Sequence, residues 1–580
     1  MYVLMIFSTM FLFINYCIGK NASNFNYWKC NQVFFYLNFF FFVEVDFIQI
    51  LNKIIFNSLQ LICYNLEYSH ISIFAPELLL IITSFLFLFI IILFRQNSSI
   101  NFFNFSLLNF IFLLLFLIIN IVIILFFLIL LNTFFWTNSQ VIFNGLFLIG
   151  LYINFSKITI VIFYFIFILT TYKFLILLCI DFDCIEFFFF LVVFLLLTLI
   201  FLSSNNLIVF YITGVAFSLV TYSLIILPFN NLSIEATIKY FFVGGLAFSF
   251  FLFGSSLIFG IVGSFDLIII AYNFDYKNIF FDQNDLIFKL SLLFFLFFFL
   301  LKLGLFPAHF FLLDIYEGLL TFSVMLLFLI VKFVFFFLII RVMVILFFEN
   351  YNFWFIVISL VVIGCLLVGT FGAIFEKKII KFLTYTSISH MGFIFSLWLN
   401  HSLVTIITKS LNYLIIYSLM LIAFFIIYFK LFIYFSKKPL IRLVELNFLR
   451  DYNFIIAVLL SLILWCMSGM PPIAGFFIKL FVLESLICEC QFELIVFFLS
   501  CSTLNIFSYI RVLKIIWYDV GIFYGDLLLS NKLFLNLKFN TVLDNILNIC
   551  LLVICFILTT YILLINNLFF FFLELANTLN

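Results

Sequence analysis

A lysine that is followed by a glycine, a proline and a histidine lies inside an apolar stretch, where residues 302–309 read KLGLFPAH. A lysine at mid-membrane depth costs about 2.5–3.5 kcal/mol on insertion scales. Gly304 and Pro307 interrupt a helix there and free backbone groups that lipid cannot satisfy. Because both features are costly and neither improves packing, together they indicate an ion pathway at Lys302.

Other lysines also fall within apolar stretches: Lys332, Lys409, Lys479 and, near the start of a stretch, Lys239. Lys302, Lys332, Lys409 and Lys479 together, at about 3 kcal/mol each, amount to on the order of 12 kcal/mol. That penalty is as large as the net stability of a typical domain. We therefore expect these side chains to face water, a partner or another charge. Lys239 is near enough to a helix end to snorkel to the interface, and for Lys409 both interpretations stay open.

Lysine suits proton relay because its protonation state responds to burial and to nearby charge. His309 and His390 titrate closer to neutral pH and could bridge lysines through water, or act as hydrogen-bond donors between helices. Asp314 and Glu317 follow the first broken stretch and are expected to cap or pair with neighbouring loops. The candidate site residues are Lys302, Lys332, Lys479, Lys239, His309 and His390.

The composition is that of a polytopic membrane protein. Of 580 residues, 68% are hydrophobic and 9% are charged, whereas soluble domains average about 45–50% and 25%. A net charge of +1 without a basic aromatic patch argues against nucleic acid as a partner. The 12 cysteines show no metal-ligand spacing, which argues against redox centres and structural zinc. The 101 phenylalanines are typical of AT-rich coding, as in organelle genomes.

Apolar stretches of about 17–25 residues predict an all-α fold with about fourteen transmembrane helices. The predicted spans are 74–94, 106–131, 158–180, 186–203, 206–227, 237–262, 287–308, 320–347, 353–375, 379–399, 403–430, 454–485, 491–517 and 543–567. They form a transmembrane core over 74–567. An N-terminal extension over 1–73, with an extra helix near 2–18, precedes the core, and a tail over 568–580 follows it.

Charge supports this count, because every second connection carries most of the basic residues. Both ends of the core are then expected on the outer side, with the basic loops facing matrix or cytoplasm. Prolines break the seventh span at Pro307 and the twelfth at Pro471-Pro472. These spans are five apart and cross in opposite directions, which is typical of inverted-repeat transporters.

At these residues the chain resembles NADH dehydrogenase subunit 2, a proton-pumping membrane subunit of respiratory complex I. The resemblance rests on five segments in order over about residues 74–485. They are Ala75-Pro76-Glu77-Leu78, Ser233 to Gly244 (SIEATIKYFFVG), Lys302 to Gly318 (KLGLFPAHFFLLDIYEG), Lys381 to Gly392 (KFLTYTSISHMG) and Gly469 to Lys479 (GMPPIAGFFIK).

The resemblance implies two inverted five-helix repeats, with helices 4–8 over about 186–347 and helices 9–13 over about 353–517. It assigns Lys239, Lys302 and Lys332 to a first half-channel and central relay, and Lys479 to a second half-channel. The chain would be a subunit of a proton-translocating NADH:ubiquinone reductase without a redox site of its own. NADH, FMN, iron–sulfur clusters and ubiquinone would bind partner subunits.

The same resemblance implies the mitochondrial inner membrane as the compartment, with mitochondrial encoding. The expected partners are other membrane-arm and accessory subunits of complex I and lipids such as cardiolipin.

One position departs from the family pattern. The family carries a glutamate in its fifth helix, whereas this chain has Val215 there. Either another acid substitutes, with Glu186, Asp183 and Glu235 as candidates, or this half-channel is altered or silent. Two alternatives to a proton-pumping subunit therefore stay open: a subunit of a multisubunit cation/proton antiporter, and a structural membrane-arm scaffold with an impaired channel.

Overall fold

The apolar stretches of the chain fold as helices. The computed structural model describes residues 77–78, 80–85, 88, 140–178, 184–227, 230–276, 285–346, 351–434, 442–447, 449–450, 453–518 and 541–577. The chain divides into two compact units, residues 1–135 with 142–144, and residues 136–141 with 145–580. In the first unit the described residues between 77 and 88 are helical, within the first predicted span. The predicted extension 1–73, its helix near 2–18 and the predicted span 106–131 lie outside the described residues.

From residue 145 onward the described chain is almost entirely helical, apart from the three-residue strand Phe147–Ile149. Another three-residue strand, Gln140–Ile142, precedes it in sequence. Lipid offers no hydrogen bonds to the backbone, so a chain this apolar must satisfy its polar groups internally, as helices do. The helices are α1 (Leu151–Leu178), α2 (Cys184–Ser203), α3 (Leu207–Ile226), α4 (Asn231–Val262), α5 (Leu267–Tyr276), α6 (Asp285–Leu303), α7 (Phe310–Gly318), α8 (Thr321–Leu326, Leu327–Val331 and Lys332–Leu346 in succession), α9 (Tyr351–Phe375), α10 (Ile379–Ser396), α11 (Leu403–Tyr434), α12 (Phe454–Ser468), α13 (Ala474–Cys488), α14 (Phe492–Trp517) and α15 (Thr541–Asn577).

Among the described residues, nine helices are long and apolar enough to cross a bilayer, or ten if the bent α15 counts as one span. The predicted span 379–399 forms α10, which is less apolar because it carries several hydroxyl side chains. The predicted span 454–485 is divided between α12 and α13. The all-helical membrane fold is confirmed, whereas the count of fourteen and the two repeats stay predictions.

Two boundaries differ from the sequence-based expectation. The predicted loop 263–287 contains α5, a helix too short to span a bilayer, which buries Leu267 and Ile270. The last helix, α15, continues past the predicted end at residue 567 to Asn577, with a bend of 90° between Tyr561 and Leu564. Apolar length alone predicts neither feature, because it does not distinguish a spanning helix from an interfacial one.

Helix α8 lies at the centre of the bundle. Its apolar span Thr321–Val342 is completely buried, and most of α11 is buried as well. By contrast, α4 and α14 expose large apolar side chains such as Phe242 and Val496, as expected of helices that face lipid. Since Lys332 begins the last section of α8, an ionisable amine lies in the middle of the apolar core.

The helix connections gather at two ends. At one end Glu317 forms ion pairs with Lys378 and Lys381, and the Leu443 amide donates to the Lys377 carbonyl at 2.9 Å. We call this end, with Glu317, Lys377, Lys378, Lys381 and Arg442, the basic end. At the opposite end Arg341 of α8 donates to the carbonyls of Leu202 and Ser204. The predicted alternation of basic loops along the whole chain stays a prediction.

Both predicted breaks are present. The first separates α6 from α7 at Gly304, whose φ of +67° lies in the left-handed region that favours glycine. The second separates α12 from α13 at Gly469, with a φ of +81°. Each break leaves carbonyl groups at the C-terminal end of a half-helix inside the bundle. These ends are the negative poles of the helix dipoles.

We predict that Gly369→Ala loosens the bundle. A Cβ atom at Gly369 of α9 would lie 2.5 Å from the Ser389 backbone nitrogen of α10, so the two helices would have to separate. Overpacking of this kind typically costs about 1–3 kcal/mol. The thermal midpoint of the purified protein in detergent should fall. Gly260→Ala is the matched control, because no atom lies within 4 Å of a Cβ there; an equal loss in both variants would contradict the prediction.

Candidate functional site

Lys302 lies in the last turn of α6 with its ammonium group buried among aromatic rings. Its Nζ is 4.1 Å from the centroid of the Phe248 ring and 5.7 Å from that of Phe335. A Cβ atom on Gly244 would collide with the Tyr222 hydroxyl and lie 3.4 Å from Nζ, so glycine leaves room for both groups. The ring faces and the negative helix end both favour a cation here.

No carboxylate among the described residues forms an ion pair with Lys302. Val215 occupies the position on α3 where the resemblance leads us to expect a glutamate. Of the three candidate substitutes, Glu235 instead pairs with Lys239 at 2.8 Å. Glu186 lies in the first turn of α2, and Asp183 lies outside the described residues. The partner of Lys302 in the described site is therefore aromatic rather than acidic.

Lys332 follows a π-helical turn, Leu327–Val331, in the middle of α8. Its Nζ donates a 2.8 Å hydrogen bond to the Ser387 hydroxyl of α10 and lies 4.6 Å from the centroid of the Phe328 ring. Single π-helical turns inside α-helices occur frequently at functional sites. Phe335, the second ring beside Lys302, lies three residues after Lys332 and hence on the same helix face.

Lys479 lies in the second turn of α13 and reaches back across the break. Its Nζ donates a 2.6 Å hydrogen bond to the carbonyl of Ser468, the last residue of α12. The Phe393 ring centroid is 5.2 Å away. A Cβ atom on Gly469 would lie 2.7–3.0 Å from this lysine side chain. The break thus supplies both an acceptor for the ammonium group and the space that the group occupies.

His390 of α10 connects the two lysine regions. Its Nδ1 is 2.9 Å from the Tyr413 hydroxyl and its Nε2 is 3.4 Å from that of Tyr509. The Phe393 ring, which lies beside Lys479, also contacts the His390 ring, with the two centroids 6.3 Å apart. Ser387, the acceptor for Lys332, precedes His390 by three residues and shares its helix face. Lys302, Lys332, His390 and Lys479, which we call the lysine–histidine track, therefore follow one another through the core.

The two other predicted site residues lie outside this track. Lys239 is 44% exposed near the start of α4, where it pairs with Glu235 and lies 3.9 Å from Asp314. His309 is buried at the α6–α7 break, beside the Phe306 and Phe310 rings, and its Nδ1 has no hydrogen-bond partner within the described structure. Asp314 and Glu317 pair with lysines of neighbouring segments, as the sequence predicts.

Several polar contacts of the site are not evident from apolar length. Tyr413 and Tyr417 are four residues apart on α11, and the Tyr417 ring centroid lies 4.8 Å from that of His390. Lys409, which the sequence leaves open, forms a 3.1 Å ion pair with Glu484. The sequence does carry a signal for these contacts, because Lys409, Tyr413 and Tyr417 recur every four residues within one apolar span and therefore share a helix face.

The side chains of the track are of types that exchange protons. Over the described ranges no group of three or more histidine, cysteine, aspartate or glutamate side chains is placed to hold a metal ion. The expectation that redox cofactors reside in partner subunits stays a prediction. Buried amines, an imidazole and hydroxyl groups in series can each accept and release a proton.

Comparisons with known proteins agree on one family. Residues 204–505 match the family described as "NADH:quinone oxidoreductase/Mrp antiporter, TM". The chain is 29% identical over 320 residues to NADH-quinone oxidoreductase subunit N of Neisseria gonorrhoeae, covering 55% of this chain and 65% of that protein. The chain thus aligns with just under two thirds of the length of this relative.

Solved structures share the fold. A chain of respiratory complex I from Thermus thermophilus superposes with a TM-score of 0.62 at 19% identity, covering 84% of this chain and 98% of the other. A chain of the Mrp complex from Dietzia superposes with a TM-score of 0.61 at 16% identity, covering 71% and 76%. The matched family segment contains Lys302, Lys332, His390 and Lys479 and more than half of the sequence. The chain belongs to the NADH:quinone oxidoreductase/Mrp antiporter membrane family.

Proposed function

We propose that this chain is a proton-translocating membrane-arm subunit of an NADH:ubiquinone oxidoreductase. The observation that carries the proposal is the lysine–histidine track, which places three buried lysines and a histidine in series within the apolar core. We propose further that the chain corresponds to subunit 2, the counterpart of bacterial subunit N. Redox chemistry in other subunits supplies the driving force.

The polar groups of the track are placed for proton transfer rather than for stability alone. Replacing buried ions by apolar residues of similar volume is often neutral or stabilising. Three buried lysines therefore add nothing to the stability of the core that apolar side chains would not supply. Each ammonium group has a hydrogen-bond acceptor, an aromatic face or a helix C-terminal end, so it can exist charged. Lys332 also lies beside the Ser387 hydroxyl, a group that can take or return a proton.

The compartment we propose for the chain is the mitochondrial inner membrane. The 101 phenylalanines, which are typical of AT-rich coding, support mitochondrial encoding. The proposed partners of the chain are other membrane-arm and accessory subunits, with cardiolipin among the lipids at its apolar surface. NADH, FMN, iron–sulfur clusters and ubiquinone bind those other subunits.

One observation favours a second function, that of a structural scaffold with an impaired channel. Within the described residues, the Lys302 ammonium group lacks an ion-pair partner, and Val215 takes the place of the expected glutamate. A cation/proton antiporter subunit is also compatible with the family. Exchange of sodium for protons by the purified chain in vesicles, without an NADH-oxidising complex, would identify the antiporter.

Replacing the track lysines should abolish proton translocation by this chain. Lys302→Met and Lys479→Met keep an unbranched side chain of similar length but cannot carry a proton. Loss of a positioned proton-transfer group typically slows transfer by about 100-fold or more. In vesicles containing the assembled complex, the ratio of protons moved to NADH oxidised should fall.

Lys514→Met is the matched control for these variants, since Lys514 is exposed near the end of α14. We expect this variant to keep the ratio of the unsubstituted complex. An unchanged ratio in Lys302→Met and Lys479→Met, with normal assembly, would identify the chain as a scaffold.

Ser387→Ala should slow translocation through its effect on Lys332. The substitution removes the hydroxyl that accepts from the buried Lys332 ammonium group, and leaving that group without this acceptor costs about 1–3 kcal/mol. Ser387→Thr retains the hydroxyl and should restore the rate per assembled complex. Ser389→Ala is the control, because Ser389 is equally buried but accepts from Asn505. Equal rates in the two alanine variants would contradict the assignment.

A further inference from the structure

Helix α11 carries a polar stripe that leads away from His390. Lys409, Tyr413 and Tyr417 recur at intervals of four residues, which places them on one face of the helix at successive turns. The two tyrosines contact His390, one by a 2.9 Å hydrogen bond and one by its ring. Lys409 lies one turn nearer the start of α11, which is the end opposite to the basic end. The stripe therefore extends the track toward that surface.

Lys409 joins the protein interior to the surface through Glu484. The Lys409 side chain is 9% exposed, whereas its partner Glu484 is 60% exposed. The Nζ–Oε2 distance is 3.1 Å. Glu484 is on α13, five residues after Lys479, and thus closer to the same surface. Ion pairs with an exposed member contribute little to stability, so stability alone does not explain a lysine at this depth.

We infer that Lys409 and Glu484 form the mouth through which the track exchanges protons with water at the end opposite the basic end. The inference rests on the proposed function and deepens it. The Lys409 ammonium group gives a proton to the Glu484 carboxylate, which releases it to water. The neutral amine then takes a proton that passes from Lys479 by way of His390 and the Tyr413 hydroxyl. Each transfer breaks one N–H or O–H bond and forms another, so the net result is one proton moved from Lys479 to water, and Lys479 then regains a proton from the preceding part of the track.

The test measures the ratio of protons moved to NADH oxidised in vesicles that contain the whole assembled complex, for variants of the carboxylates Glu484 and Glu489. Glu484→Gln removes the proton acceptor but keeps the side-chain size. We expect its ratio of protons moved to NADH oxidised to fall to the value of the Lys479→Met variant. Glu484→Asp keeps the carboxylate and should retain most of the ratio. Glu489→Gln is the matched control, because Glu489 pairs with His401 near the same end of the helix.

The outcomes separate the mouth from the proposed function. A normal ratio of protons moved to NADH oxidised in Glu484→Gln, together with a lowered ratio in Lys479→Met, would overturn the inference about Lys409 and Glu484 and leave the proposed function intact. Normal ratios in both would overturn both. Less assembled complex with a normal ratio per complex would show a purely structural ion pair and overturn the mouth. If the Glu484→Gln complex fails to assemble, Lys409→Gln tests the same proton transfer from the buried side. We expect this variant to lower the ratio of protons moved to NADH oxidised, and a normal ratio would overturn the inference.

Discussion

The structure depends on one constraint, which is that ammonium groups must be held in an apolar core. A lysine in hydrocarbon needs an acceptor, an aromatic face or a helix dipole. Each of the three track lysines has an aromatic ring beneath it: Phe248, Phe328 and Phe393. A chain with 101 phenylalanines offers such faces in many places. The abundance of this residue therefore has a physical use, even if coding bias is its origin.

The helix breaks follow from the same constraint. An intact helix uses its carbonyls internally, whereas a break turns the last carbonyls of a half-helix toward the bundle interior. Lys479 donates to one of these, the Ser468 carbonyl, from the half-helix on the other side of the break. Lys302 instead lies on the half-helix that ends. Both lysines thus stand at negative helix ends, although they approach them from opposite sides of a break. Glycine at each break supplies the backbone conformation.

The length of apolar stretches and the positions of charges predict most of this fold, because both can be read directly along the sequence of a spanning helix. They locate the spans, the breaks at Pro307 and Pro471, and the buried lysines. They do not reveal which helix faces meet, since a helix that is apolar all round carries no moment to orient it. The contacts of Ser387, Tyr413 and Glu484 depend on that orientation. Lys239, which the sequence places near a helix end and includes among the candidate site residues, is half-exposed beside Glu235.

The two lysines at the breaks differ in how their charge is balanced. Lys479 lies in series with His390 and a lysine–glutamate pair that reaches the surface, so a carboxylate can take up its proton. Lys302 has rings and a helix end but no carboxylate among the described residues. Under the proposed function, a proton on Lys302 passes to a neighbour in the track rather than to a carboxylate. Phe335, whose ring lies beside Lys302, stands on the same face of α8 as Lys332, so this helix face is the physical link between the first lysine and the central one.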